Sequence, residues 1–360
     1  MAANIQLGTD QQFIDAWKST GGRASEVAKL LGYTTTSKVY NRRAKIEKRL
    51  SVVLSSAGDS NHKGRGDAGA TPYDYNPRLR IDGFTGAAVV FSDCHWWPGI
   101  SETVAYKALL EVIKEIKPKL IVANGDILDG AQISRFGPIG WVKTPDVKAE
   151  LDEVGARMTA IRRAAPNAHH IRTIGNHDLR YDSTLASRAA QFTGIKGFRL
   201  ADHLCEWKET MSLWVNDGVV IKHRWHNGIN AGRNNTLKAG KTMVTGHDHI
   251  LQITPYLDYN GLRWAVQDGT LSDPGGPQFA YGEDNPSQAN SGFVVLPFLK
   301  NGRMIDPEAC RAIDGEAWFR GQKVASMTAA QIRLRKWAQM TSAQKLADVE
   351  REDRRRKTVA

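Results

Sequence analysis

Five short segments, each closing an apolar run, carry the aspartate, asparagine and histidine side chains of this chain's most constrained region. Val89-Val90-Phe91-Ser92 leads into Asp93-Cys94-His95, and Leu120-Ile121-Val122-Ala123 into Gly125-Asp126-Ile127-Leu128-Asp129. Ile171-Arg172-Thr173-Ile174 leads into Gly175-Asn176-His177-Asp178, Val219-Val220-Ile221 into His223, and Met243-Val244-Thr245 into Gly246-His247-Asp248-His249. Runs of this kind read as buried strands. Between the first two, Thr103 to Ile116 has helical apolar spacing at Ala105, Leu109, Val112 and Ile116, with Pro118 stopping it. That is a β-α-β unit, and open α/β sheets place ligands at the carboxyl ends of their strands. The polar residues of all five segments are thereby expected to converge on one edge.

Carboxylate and amide oxygens mixed with imidazole nitrogens suit first-row divalent ions such as Mn, Fe, Zn or Ni. A two-metal hydrolase is the first reading. An isolated Asp126 or Asn176 in a glycine-rich loop would ordinarily be a turn or cap residue; five segments together favour ligands.

In order and wording the segments resemble the calcineurin-like metallophosphoesterase superfamily, which reads D-x-H, G-D-x-x-D, G-N-H-D/E, H and G-H-x-H. The likeness runs from about Ala87 to about Ile250. Asp126-Ile127-Leu128-Asp129 running into Ile133-Ser134-Arg135-Phe136, and Asp178 followed by Arg180, are most similar to the phage and prophage branch. The resemblance implies a four-layer α/β/β/α sandwich. It implies one metal on Asp93, His95 and His249, a second on Asn176, His223 and His247, and Asp126 bridging both, with Mn first and Fe, Zn, Ni or Mg as alternatives. Such a pair of ions, roughly 3.5–4 Å apart, turns a shared water into the nucleophile. His177 is left free to stabilise phosphate charge or protonate the leaving oxygen, with Asp178 expected to hold its ring through the other nitrogen. Arg135 and Arg180 are candidate phosphate clamps. The family usually follows the fourth-motif histidine with glycine, whereas Arg224-Trp225-His226 follows here, so His226 is an alternative to His223. Asp129 reads as structural, and Cys94 is expected to point away from the metals.

Charge is distributed unevenly. Residues 1–50 hold nine Lys/Arg against four Asp/Glu, residues 321–360 ten against four, and residues 51–320 thirty against thirty. The whole net charge of +11 therefore lies on the flanks, a pattern suited to a polyanion such as DNA. Three cysteines without metal-type spacing fit a reducing cytoplasm, and no apolar run of membrane-spanning length exists.

The amino-terminal flank reads as a small all-α domain over 1–54. Phe13, Ile14 and Trp17 form one helix face; Ala24 to Leu31 a second helix with Val27, Ala28, Leu30 and Leu31 inward; Thr35 or Thr36 caps a third to about Leu50. The pattern resembles a helix-turn-helix, whose third helix enters the major groove. Ser37, Lys38, Asn41, Arg42 and Arg43 are the expected DNA contacts. The plain alternative is a helical bundle with a solvated basic face.

Residues 55–80 read as a flexible linker, 81–320 as the catalytic domain and 321–360 as a basic helical tail ending in Arg354-Arg355-Arg356-Lys357. Gly261–Val266 and Phe293–Phe298 read as strands of the second half-sheet, with Ser272–Asn290 a loop at the cleft rim. The function expected is a divalent-metal DNA phosphodiesterase, an endonuclease or nickase. The alternatives are a phosphatase or cyclic-nucleotide phosphodiesterase and, outside enzymes, a DNA-binding regulator on the same scaffold.

Overall fold

The computed structural model describes residues 8–50, 52, 54, 77–137, 140–282, 285, 287–341, 344, 345, 347–349 and 351. The chain divides into two compact units, Met1–Tyr73 and Asp74–Ala360. Residues 55–76 of the linker expected over 55–80 and the run Arg354-Arg355-Arg356-Lys357 lie outside the described residues.

The first unit holds α1 (Asp10–Ser19), α2 (Ala24–Leu31) and α3 (Thr36–Leu50). Thr9 and Gln12 form a capping box at the start of α1, satisfying two backbone donors that the first turn leaves open. Gly32, at φ 71°, closes α2 in the left-handed conformation that glycine tolerates best. Phe13, Trp17, Val27, Val39 and Ile46 are buried in its core. Leu30, expected inside, is 63% exposed, because the face shared by Val27 and Ala28 already fills the contact.

The second unit contains two sheets. One has eight strands, ordered Gln322–Ser326, Glu316–Phe319, Glu308–Ile313, Gly292–Phe298, Gly86–Phe91, Leu120–Asn124, His169–Thr173 and Lys208–Thr210; the other has six, ordered Leu79–Ile81, Leu213–Val215, Val219–Ile221, Thr242–Thr245, Gly261–Asp268 and Leu251–Asp258. In chain order these are β1 (Leu79–Ile81), β2 (Gly86–Phe91), β3 (Leu120–Asn124), β4 (His169–Thr173), β5 (Lys208–Thr210), β6 (Leu213–Val215) and β7 (Val219–Ile221). They continue as β8 (Thr242–Thr245), β9 (Leu251–Asp258), β10 (Gly261–Asp268), β11 (Gly292–Phe298), β12 (Glu308–Ile313), β13 (Glu316–Phe319) and β14 (Gln322–Ser326).

Period-two alternation decides the layering. Ala88, Val90, Leu120 and Val122 pack with Leu213, Ile221, Val244 and Val266 of the other sheet. Their neighbours Val89, Phe91, Ile121 and Ala123 point the opposite way, into a core formed with α4 (Val104–Ile116) and α5 (Val147–Ala164). A further helix, Ala231–Ala239, packs on β8 and β10. The expected α/β/β/α sandwich is the fold of this unit.

Three boundaries differ from the sequence reading. Leu79–Ile81 pairs with β6, so the end of the expected linker is strand. Phe293–Phe298 lies in β11, which pairs antiparallel with β2 and so belongs to the first sheet, not the second. Gln322–Ser326 pairs with Glu316–Phe319, which carries the sheet past residue 320 into the expected tail. Short exposed strands such as Gln322–Ser326 lack the continuous apolar run that marks a central strand. The helix expected beyond Thr328 is present as Ala329–Gln339, capped by Thr328 and Gln331. Among the described residues, no helix is long and apolar enough to cross a membrane.

Candidate metal centre

β2, β3 and β4 run parallel in one sheet, and β7 and β8 run parallel in the other. The loops that follow them carry the motif residues and are tied together by backbone bonds. Asp93 N donates to Gly125 O (3.0 Å), His95 N to Asp126 O (3.1 Å), and Gly246 N to His223 O (3.0 Å). Asp93, His95, Asp126, His247 and His249 all have positive φ, from 41° to 73°. For residues other than glycine such backbone costs on the order of 1–3 kcal/mol each and persists where surroundings over-determine it, commonly at functional sites.

Two groups of side chains result. Asp93, His95 and His249 form one, and Asp126, His223 and His247 the other; His95, Asp126 and His177 form an overlapping third. His249 Nε2 lies 3.2 Å from Asp93 Oδ1 and 3.2 Å from His95 Nε2. His223 Nε2 lies 3.0 Å from Asp126 Oδ2. Ligand atoms each roughly 2.1 Å from a common ion stand about this far apart.

The orphaned atoms test the fit to metal. Asn176 Oδ1 is buried with no hydrogen-bond partner, and the buried Asp93 Oδ1 and His223 Nε2 meet charged atoms of the cluster, His249 Nε2 and Asp126 Oδ2, without the alignment of a good hydrogen bond. Buried polar atoms are normally satisfied. The remaining atoms of these groups are held: Asp93 Oδ2 accepts from His247 N (2.8 Å), Asp126 Oδ1 from His177 N (2.7 Å), and His223 Nδ1 donates to Asn124 O (2.7 Å). The donor set fits two divalent cations. Burial alone would lower the pKa of His223, but the carboxylates of Asp126 and Asp93 push it up to about 10. A cation displaces that proton, so its affinity rises with pH.

Glycine at the motif positions is a packing requirement. A Cβ on Gly175 would lie 2.1 Å from Asp126 Oδ1, one on Gly246 2.6 Å from Asp93 Oδ2, and one on Gly125 2.6 Å from His223 Nδ1. Gly175→Ala is therefore expected to displace Asp126 while the rest of the core stays intact, at a stability cost of about 1–3 kcal/mol. Metal affinity should fall roughly 10–100-fold, as it does when a ligand loses its support. Calorimetric titration with Mn²⁺ alongside a thermal melt checks this; unchanged affinity would show that the loop absorbs the methyl group.

Contrary to the expectation from the motif, Asp178 does not hold the ring of His177. Asp178 is buried beneath the G-D-x-x-D loop and accepts from the backbone of Asp126 (3.0 Å), Ile127 (3.1 Å), Leu128 (3.3 Å) and Gly175 (3.0 Å). At the first position of the helix Asp178–Arg188, its short side chain turns back onto these open N–H groups, away from the ring of His177. Asp129, read as purely structural, takes the orienting role. Its carbonyl accepts from His177 Nδ1 (2.9 Å) and its carboxylate lies 3.1 Å from His95 Nδ1. Burial opposes a charge on His177, yet the hydrogen bond its ring donates to Asp129 and the charge of Asp126 raise its pKa.

The two arginines part company. Arg180 donates to His177 Nε2 (3.0 Å) and to Asp129 O (2.8 Å), which puts it at the centre. Arg135 is exposed and stacks on Phe136 at 4.8 Å, with no contact to a motif residue among those described. Of the two fourth-motif histidines, His223 joins the cluster, whereas His226 stacks on Trp225. Cys94 is buried in the apolar core, as expected.

Three supporting features carry no motif signal. Asp268 accepts from Ser92 Oγ (2.7 Å) and Asn124 Nδ2 (2.8 Å), while Asn124 Oδ1 accepts from Thr173 Oγ1 (2.7 Å). This buried chain runs beneath both groups, and burial together with the charge of Asp93 pushes Asp268 up to about 7. Glu150, fully buried, accepts from Gly130 N (2.6 Å) and Ala131 N (3.1 Å) and so pins the loop after Asp129. Phe279 packs its ring against His95 and His249, at 5.5 and 5.2 Å.

Comparison with known proteins agrees with this geometry. The profile of the calcineurin-like phosphoesterase family matches residues 88–292, more than half of the chain. Among solved structures, wild-type Vps29 from Entamoeba histolytica complexed with Zn²⁺ is similar at 11% identity, covering 66% of this chain and 99% of that chain, with a TM-score of 0.36. A structure of an archaeal phosphodiesterase is similar at 15% identity, covering 61% of this chain and 98% of that chain, with a TM-score of 0.31. No curated protein matches the chain. With the profile spanning the five loops that converge here, this chain belongs to the calcineurin-like phosphoesterase family and is a hydrolase of phosphate esters.

Proposed function

We propose that the chain is a phosphodiesterase that cuts DNA, with manganese as its working metal. In this reading Asp93, His95 and His249 hold one ion, Asn176, His223 and His247 the other, and Asp126 both. When bound, the ions acidify water and neutralise charge on the phosphoryl oxygens. Asp129 keeps the Nδ1 proton of His177 in place, so Nε2 faces the reacting phosphate. Arg180, which occupies that nitrogen here, is the group a phosphate oxygen would draw away, since a guanidinium meets two such oxygens at once. With Arg180 drawn away, Nε2 takes up a proton from water, which the raised pKa of His177 favours, and passes it to the leaving oxygen.

The observation that carries DNA as substrate is the exposed basic face of the first unit. Ser37, Lys38, Asn41 and Lys45 are exposed along α3. Arg42 and Arg43, expected on that face, are instead largely committed inside the unit. Arg42 donates to Gly8 O (2.7 Å) and Tyr33 Oη (3.0 Å) and pairs with Asp10 (3.2 Å); Arg43 lies over Trp17 at 4.9 Å and pairs with Glu47 (2.9 Å). Their long stems cover the aromatic core, as amphipathic side chains do. We therefore assign DNA contact to Ser37, Lys38, Asn41 and Lys45, as a helix-turn-helix would use them.

Removing residues 1–54 takes away a net charge of +5 and no proposed metal ligand. Hydrolysis of a small chromogenic phosphodiester should survive, while DNA cutting falls and loses part of its salt sensitivity, because fewer counterions are released. Joint substitution of Lys38, Asn41 and Lys45 by Ala should reproduce most of the loss. Cleavage and affinity at two salt concentrations decide it. Undiminished DNA cutting by both variants would refute delivery of the substrate by this unit, and hydrolysis of the small diester with no cutting of DNA by the intact chain would favour a phosphatase or cyclic-nucleotide phosphodiesterase.

A further inference from the structure

The loop between β10 and β11 places two aromatic rings in series at the metal centre. Phe279 meets His95 and His249 edge-on, with interplanar angles of 76° and 66°. Tyr281 follows at 6.3 Å from Phe279 and is 65% exposed. The order outward is metal ligands, Phe279, then an exposed ring.

We propose that Tyr281, its ring set at 73° to that of Phe279 behind it, is a stacking platform for an unpaired nucleobase next to the phosphate being cut, so that the substrate is single-stranded or locally unpaired DNA. This rests on the DNA reading above. A phosphate on the metal-binding side chains brings the neighbouring nucleotide to these rings. Every base has a π-face, so such stacking tolerates any sequence. In a duplex both faces of a base are already covered by its neighbours, and extruding it costs a few kcal/mol. The platform therefore favours a strand whose bases are free. Charge is complementary as well: Arg180 donates to His177 Nε2 at the centre, where a phosphate oxygen would meet it.

The test compares kcat/KM in Mn²⁺ on a single-stranded oligonucleotide, the same strand with abasic residues around the cut, and the fully paired duplex. The wild-type protein should prefer the base-bearing strand over the abasic one by roughly 5–150-fold, the span of one stacked base, and should cut the duplex more slowly than the single strand. Tyr281→Ala should bring the base-bearing and abasic rates together, and Tyr281→Phe should keep them apart, because the ring and not the hydroxyl makes the stack. Being a ratio within one variant, this readout is insensitive to partial loss of folding. Equal rates on abasic and base-bearing strands in the wild type, a faster duplex, or a preference retained by Tyr281→Ala would each overturn the platform while leaving the nuclease reading intact. Hydrolysis of a chromogenic diester without cutting of any DNA would overturn both.

Discussion

Asp126→Asn should abolish metal-dependent hydrolysis. Asp126 Oδ2 lies 3.0 Å from His223 Nε2, and its carboxylate belongs both to the group with His223 and His247 and to the group with His95 and His177. Its amide replacement keeps the shape and the bond from His177 N but removes the negative charge that two cations would share. Loss of a supporting group alone typically costs 10–100-fold, so turnover of a chromogenic phosphodiester at saturating Mn²⁺ should fall by more than about 100-fold. His249→Ala, which removes a nitrogen 3.2 Å from Asp93 Oδ1, should behave alike. Metal content measured on the purified variants should drop in parallel. Near-normal turnover of Asp126→Asn would refute the two-metal assignment.

His177→Ala is expected to separate chemistry from metal binding. Its ring is held by Asp129 and Arg180 and borders His95 at 4.5 Å, yet it belongs to neither of the two groups proposed to hold the ions. Both metals should remain while turnover on DNA falls roughly 10²–10⁴-fold, the usual contribution of an acid–base group. An ester with an acidic leaving group needs less protonation and should suffer less. Loss of one metal in the variant would place His177 among the ligands. Asp129→Asn offers a companion measurement: because the Asp129 carbonyl accepts from His177 Nδ1 at 2.9 Å, closer than its carboxylate at 3.5 Å, part of the orientation survives that change.

Local order made the metal centre readable from sequence. Each candidate ligand follows directly on a buried apolar run, so strand and ligand are specified by adjacent residues, and the parallel register of β2, β3 and β4 brings their ends together without further information. The motif glycines are legible from the pattern alone, although the side chains they make room for, Asp126, His223 and Asp93, come from other loops. The alternation of Ala88, Val89, Val90 and Phe91 likewise specifies a strand covered on both faces.

Contacts over long sequence distances were decided only by the tertiary structure. Asp129 and Asp178 are both acidic neighbours of the motifs, and nothing local says which reaches His177; the helix that begins at Asp178 aims that carboxylate at open backbone donors instead. Asp268 meets Ser92 across 176 residues, and Phe279 reaches His95 from another sheet connection, so neither has a spacing to be read. Arg42 and Arg43 show the same limit in the helical unit. A sequence reports their charge, but whether a guanidinium meets solvent or lies over Phe13 and Trp17 depends on how the three helices close. What the sequence determined by itself was therefore the chemistry of the site and the strands that deliver it, because these are local; which carboxylate orients His177, which cations stay exposed and which ring borders the metals were settled by packing, because they join residues that only the fold brings together.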